Sequence, residues 1–267
     1  MNLEERIWRV IAPKLRDPVE IVAIDEVLHK MVASGKSQPT LLFNHWEPSI
    51  SIGKPQAISD LNLEACKKSG IKIVRTSGGG RAVLHLGEKD VSYSLFSQTP
   101  TTNPTKIYEE FCGYIAEALK GLGLPVEIDN KNDFYIKGKK ISGNALRIEE
   151  GALTQHGIIL YDKHQADFLI SLMNPQLYSE SDITELNNRL ISIKELVPEI
   201  TISDLIGALT EKLTKGKYRK GDFTKEEKEE ISKIKQLYQD PEWFKGNSVR
   251  GLCWLSKGEP RGSLRGA

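Results

Sequence analysis

The sequence predicts an α+β fold, a mostly antiparallel or mixed sheet with flanking helices. Three observations support this. Short apolar segments with two-residue alternation recur from Leu41 to Tyr161, helical stripes stand apart from them, and the composition is that of an ordinary globular chain. With 267 residues, 39% hydrophobic and 27% charged, the chain is long enough to bury a core without disulfide or metal staples.

The elements follow in order. Ile21, Ile24, Val27, Leu28 and Met31 recur at helical spacing behind Asp17-Pro18, a cap followed by proline in the first turn. Leu41 to Phe43 and Ser49 to Ile52 read as two strands. Asp60 is expected to cap a short helix ending at Gly70, and Ile71 to Val74 form a strand that runs into Ser77-Gly78-Gly79-Gly80. Val91, Tyr93 and Leu95 alternate with polar residues as in a half-buried strand. Asn103-Pro104 opens a helix with the stripe Ile107, Phe111, Ile115, Ala118 and Leu122. Strands are then expected at Val126 to Ile128, Phe134 to Ile136, from Ile141 onward and at Leu153 to Tyr161, with a turn at Lys137-Gly138-Lys139. Beyond Asn174-Pro175 the chain turns polar; Thr201 to Leu213 is amphipathic, and Thr224 with Glu227 forms a capping box for a charged helix. From Trp243 the sequence reads as a loosely packed tail.

Composition also removes several classes of function. No run approaches the roughly 18 apolar residues of a membrane span, and Met1 to Arg16 lacks the pattern of a signal peptide, so a cytoplasmic protein without membrane partners is expected. A net charge of +1 gives no nucleic-acid footprint. Cys66, Cys112 and Cys253 are far apart and fit neither a disulfide framework nor a zinc site.

Three segments carry chemistry. In Arg75-Thr76-Ser77-Gly78-Gly79-Gly80-Arg81-Ala82-Val83-Leu84-His85, glycines after a strand let backbone N–H groups approach an anion, while Arg75 and Arg81 add charge. The segment matches neither a P-loop nor a dinucleotide fingerprint, and by itself it equally suits a tight turn beside two surface arginines. In Asn132-Asp133 through Ala145, a hairpin presents Lys139 and Lys140. Lys139 suits a solvated turn, whereas Lys140, beside Ile141 and Gly143, is placed to meet a carboxylate or phosphate. Gln155-His156-Gly157 puts a histidine in an apolar strand, where it serves either packing or a ligand.

Together these segments, with Ala23-Ile24-Asp25-Glu26, Trp46-Glu47-Pro48, Ser51-Ile52-Gly53 and Ser192-Ile193-Lys194-Glu195-Leu196, resemble the lipoate-protein ligase and octanoyltransferase superfamily over roughly residues 18 to 215. The resemblance implies a catalytic domain over 1–220, followed by a C-terminal helix and tail over 221–267. It also implies that Lys140 is the catalytic lysine, and that Arg75, Gly79, Gly80, Arg81, Val83, His85, Asn132, Gly143, Asn144, Ala145 and His156 line the acyl and ATP sites. Asp133 would hold Mg²⁺ against the phosphates, with lipoate as substrate. The expected partner is a lipoyl domain, a glycine-cleavage H-like protein or a similar carrier, and a separate small accessory protein is a further expectation.

The glycine segment looks closer to the transferase branch, yet the cysteine nucleophile that the branch uses is missing from both expected places, Asp129 to Asp133 and Asn174-Pro175-Gln176. The sequence therefore points to an ATP-dependent ligase that forms an acyl-adenylate. An ATP-independent octanoyl or lipoyl transferase and a non-catalytic carrier-binding subunit remain the alternatives. A biotin ligase fits less well, because its loop pattern is not matched by Ser77 to Arg81.

Overall fold

The computed structural model describes residues 6–237, apart from 54, 77, 78, 80, 130, 131 and 164. A ten-stranded mixed sheet forms its centre, in the order β10 (Tyr218–Lys220), β1 (Trp8–Ile11), β3 (Thr40–Ile52), β5 (Val83–Gln98), β9 (Ala152–Leu160), β8 (Lys139–Glu149), β7 (Asp133–Ile136) and β6 (Glu127–Asp129). Two further strands, β2 (Leu15–Arg16) and β4 (Lys72–Arg75), also pair with β3. Pairing is parallel among β1, β2, β3, β4 and β10 and antiparallel from β3 through β6. This is the mixed sheet with flanking helices that the alternation predicts.

Helix α1 (Pro18–Ala33) starts where Asp17 accepts from the N–H groups of Val19 and Glu20, and α3 (Pro104–Gly121) starts where Asn103 accepts from Thr105 N. Both have proline in the first turn. Helices α3 and α7 (Ile202–Thr214) bury their stripes against one sheet face, where Phe111, Ile115, Leu119, Leu205 and Leu209 meet Leu41, Phe43, Val91, Tyr93 and Leu95. Each such side chain taken out of water contributes roughly 1.5–3 kcal/mol. Helix α1 covers the opposite face with a second apolar cluster, and α2 (Leu63–Lys68), α4 (Ala166–Ser171), α5 (Glu180–Arg189) and α6 (Ile193–Leu196) complete the remaining surface.

Several local expectations are corrected. The two strands expected at 41–43 and 49–52 are one, β3, which continues through Pro48 by shifting register against β5 between Asn44 and Trp46 and again before Ser49. Asp60 ends a 3-10 turn instead of capping α2; Asn62 is the cap and accepts from Ala65 N at 3.0 Å. Strand β5 starts at Val83 and is buried on both faces, because Ser92, Ser94 and Phe96 lie under α1. Helices α5 and α6 occupy part of the segment expected to be merely polar. The tail from Trp243 lies outside the described residues.

The expected division after residue 220 falls between β10 and α8 (Lys225–Leu237). Helix α8 packs on α1 through Ile231 and Ile234, and its Glu227 accepts both guanidinium ends of buried Arg9 at 2.7 Å, Ser37 Oγ at 2.6 Å and Thr224 N at 2.7 Å. Burial alone would raise this carboxyl's pKa, but the bonds from Arg9, Ser37 and Thr224 outweigh it and hold the group below its ordinary value of 4.5. A pKa lowered by folding gives stabilisation that is complete above the unfolded value and is lost as the pH falls through the folded one. Glu227→Gln, which strands the Arg9 charge in the interior, should cost about 3 kcal/mol, or about 6–10 °C in the thermal midpoint. Melting curves at neutral pH and below pH 4.5 check this: the gap between parent and variant should narrow in acid.

Candidate active site

The hairpin joining β7 to β8 turns at Lys137 and Gly138, both with positive φ (50° and 74°), as in a two-residue type I′ turn. Lys139 then pairs with Ile136 and Lys140 with Tyr135. This register separates the two lysines: Lys139 is half-buried, while Lys140 is only 4% exposed, and its ammonium meets Asp133 Oδ2 at 2.6 Å. Asp133 stands opposite Gly143, and the pair lies over that glycine. A Cβ at position 143 would come within 3.4 Å of Asp133 Oδ1 and of Cε and Nζ of Lys140.

Beside Gly143, Asn144 projects to the other face and gives its amide N–H to the Asn132 carbonyl at 2.8 Å; Asn132 returns a bond to the Asn144 carbonyl at 2.7 Å. One residue further, Ala145 pairs with His156 on β9. His156 Nδ1 lies 3.0 Å from Ser94 Oγ and 3.6 Å from Asp25 Oδ2. Burial pushes the Asp25 carboxyl above its ordinary range, against the pull of His156 and Ser94. Next along α1, Glu26 accepts from Arg147 at 2.6 Å, and His29 Nδ1 sits 2.7 Å from Thr154 Oγ1. Five expected residues, Asn132, Asp133, Lys140, Gly143 and Asn144, thus form one cluster, with Ala145 and His156 beside it.

The glycine segment links β4 to β5, which flank β3 on opposite edges, so it must cross the end of β3 near Ile52. Thr76 N is held by Ile52 O at 2.9 Å. Arg75 is buried and donates to the carbonyls of Gly53 and Gln56 at 2.9 and 2.6 Å, tying down the turn after β3. Gly79 is exposed with open space around it, Arg81 and Val83 are half-buried, and Gly80 lies outside the described residues. His85 is buried, stacks on Trp46 with ring centroids 4.2 Å apart, and places Nε2 3.0 Å from Ser51 Oγ and Nδ1 3.7 Å from Asp90.

The Mg²⁺ role expected of Asp133 would rest on one carboxylate together with substrate oxygens. One of its oxygens is held by Lys140, and among the described residues no group of three His, Cys, Asp or Glu side chains is placed to hold an ion. Asp133 fits a counterion for Lys140. Of the layer of Asp25, Glu26, His29, Ser94 and Arg147, only Asp25 and Glu26 were named from the sequence, within the motif Ala23-Ile24-Asp25-Glu26, and none was given a role. A signal was present, since Asp25 stands four residues after Ile21 and three before Leu28, inside the buried stripe of α1.

The hairpin that buries Lys140 over Gly143 and the strands that flank the glycine segment belong to one mixed sheet. The model of the lipoyl protein ligase A/B catalytic domain matches residues 17–214, and the chain belongs to that family. Among curated relatives, an octanoyltransferase LipM of Exiguobacterium is 27% identical, over 88% of this chain and 97% of the relative. The octanoyltransferase LipM of Clostridioides difficile is 28% identical, over 89% and 98%. The lipoate-protein ligase LplJ of Bacillus subtilis is 29% identical, over 94% of this chain and 77% of the relative. In structure the fold is that of lipoate-protein ligase A bound with ATP (TM-score 0.78, 22% identity, 89% of this chain and 98% of that one). It is also that of the bi-partite lipoate protein ligase from Thermoplasma acidophilum (TM-score 0.80, 22% identity, 92% and 99%).

If Lys140 is the group that meets developing charge, Lys140→Ala should slow carrier acylation by about 10² or more with the fold intact. Lys139→Ala should change it little, and Lys140→Arg should restore only part, because a planar guanidinium does not replace a compact ammonium. Steady-state acylation rates of the three variants, with circular dichroism as the folding control, test this; equal mild losses at 139 and 140 would remove Lys140 from the chemistry.

Proposed function

We propose that this enzyme joins lipoate to a lysine of a carrier protein or lipoyl domain by way of an acyl-adenylate made from ATP. The observation that carries the reading is the buried ammonium of Lys140, held by Asp133 over Gly143. Cys112 lies on α3, against the opposite face, where burial pushes its thiol up to about 12; Cys66 is buried under α2 and its thiol is also pushed up by burial. Neither can supply a thiolate for a covalent acyl intermediate.

In the first step a carboxylate oxygen of lipoate forms a bond to the α-phosphorus and pyrophosphate leaves. In the second the carrier's lysine nitrogen bonds to the acyl carbon, AMP leaves and the nitrogen gives up a proton. Both transition states gather negative charge on oxygen. Lys140, already desolvated and fixed, stabilises that charge more than it stabilises the ground state, and one such donor is worth ~3 kcal/mol. Along β8 the strand spans about 13 Å from Gly143 past Ala145 to Arg147, a length along which an eight-carbon acyl chain can lie. A cavity of about 40 Å³ among Leu84, Leu86, Asp90, Leu160, Leu169 and Leu190 is too small for such a chain. His85, Arg81, Gly79 and Gly80 are assigned to the nucleotide side, with Arg75 holding the turn beneath them. A separate accessory chain is part of the proposal, in keeping with the similarity to the bi-partite lipoate protein ligase of Thermoplasma acidophilum.

A second reading, octanoyl transfer without ATP, is favoured by the names of the LipM relatives, whose length the chain matches almost completely. One experiment separates the two. A carrier domain is incubated with the enzyme and either lipoate plus MgATP or an octanoylated carrier protein, and its mass is followed. Lipoylation that needs ATP and releases pyrophosphate supports the ligase; full-rate octanoyl transfer without ATP overturns it. Cys66→Ser, Cys112→Ser and Cys253→Ser should each leave the rate within a few-fold, and a trapped thioester on any of them would decide for the transferase.

A further inference from the structure

Asn144 is held from behind the sheet. Tyr93, Gly157 and Asn144 stand in one row across β5, β9 and β8. Tyr93, buried against α3, reaches over the central strand, and its hydroxyl donates to Asn144 Oδ1. The crossing exists because residue 157 has no side chain: a Cβ there would overlap Cζ, Cε1 and Oη of Tyr93. Burial pushes the phenol well above its ordinary range, so it stays a donor at any working pH.

An asparagine amide can turn over, exchanging oxygen for nitrogen at little steric cost. With the Tyr93 hydroxyl on its oxygen, Asn144 must present Nδ2 to the Asn132 carbonyl, which is where it lies at 2.8 Å. Asn132 closes the link with its own bond to the Asn144 carbonyl and precedes Asp133, the counterion of Lys140 on the opposite face. We infer that Tyr93 is a positioning residue for Lys140, acting through Asn144, Asn132 and Asp133, and that Gly157 is required to let it pass. The chain of contacts crosses the sheet from its packed face to its reactive one.

The inference rests on Lys140 as the reacting lysine, and its test has one readout that needs no turnover. Tyr93→Phe removes only the hydroxyl, Asn144→Ala removes the link it holds, and the double variant removes both. Lys140 acetylation by acetic anhydride, followed by peptide mass spectrometry with Lys139 as internal reference, should be slow in the parent and several-fold faster in both single variants. Carrier acylation should lose about tenfold in kcat in Tyr93→Phe, with KM for acyl donor and carrier within about twofold and the melting temperature nearly unchanged. The double variant should be no slower than Asn144→Ala, because the two side chains act in series. Lys140 labelling at the parent rate in both single variants, or losses that multiply in the double variant, overturns the inference. If the parent acylates no carrier from either donor, the proposed function fails and the labelling result still decides the brace.

Discussion

A lysine taken out of water must face an anion or give up its charge, and the ion pair of Lys140 with Asp133 organises this face of the sheet. Burying either charge alone costs several kcal/mol, which only close and well-oriented pairing offsets. The surrounding sequence serves that requirement. The Lys137-Gly138 turn sets which of two adjacent lysines points inward, β7 brings Asp133 opposite residue 143, and Gly143 leaves the space in which the pair lies.

The second constraint is the polar layer between α1 and the sheet. Asp25, Glu26 and His29 occupy buried positions on the helix and face Ser94, His156, Thr154 and Arg147. A layer of leucines there would pack with less desolvation cost. The layer lies next to Gly143 and Ala145, and the cluster of Ile24, Leu28, Leu42 and Phe96 supplies apolar packing on the same face.

How much of this was legible follows from the range over which each feature is encoded. The caps at Asp17, Asn103, Thr201 and Thr224, the hairpin turn and the stripe of α3 are local, and the sequence shows them directly. Pro48 made β3 look like two strands because the bulges that accommodate it depend on β5. Ser92 and Ser94 looked solvent-facing because alternation reports polarity and not what lies above it; α1 lies above them. Within the site, Lys140 and Gly143 were readable as a motif, but the ion pair of Lys140 with Asp133 was not, since pairing between β7 and β8 is not visible in a single strand. Tyr93 and Gly157 are 64 positions apart, and nothing in either segment alone reveals that one needs the other.

The choice between the two branches of the family turns on where sulfur can be. Acyl transfer through a thioester needs a thiolate within bonding reach of the carbonyl that Lys140 attends, and a β-sheet is a barrier that a side chain crosses only where a neighbouring strand carries glycine. Tyr93 runs along the α3 face over Gly157 towards Asn144, and Cys112 lies on that same side, in contact with Gln155, whereas Lys140 meets Asp133 over Gly143 on the other face.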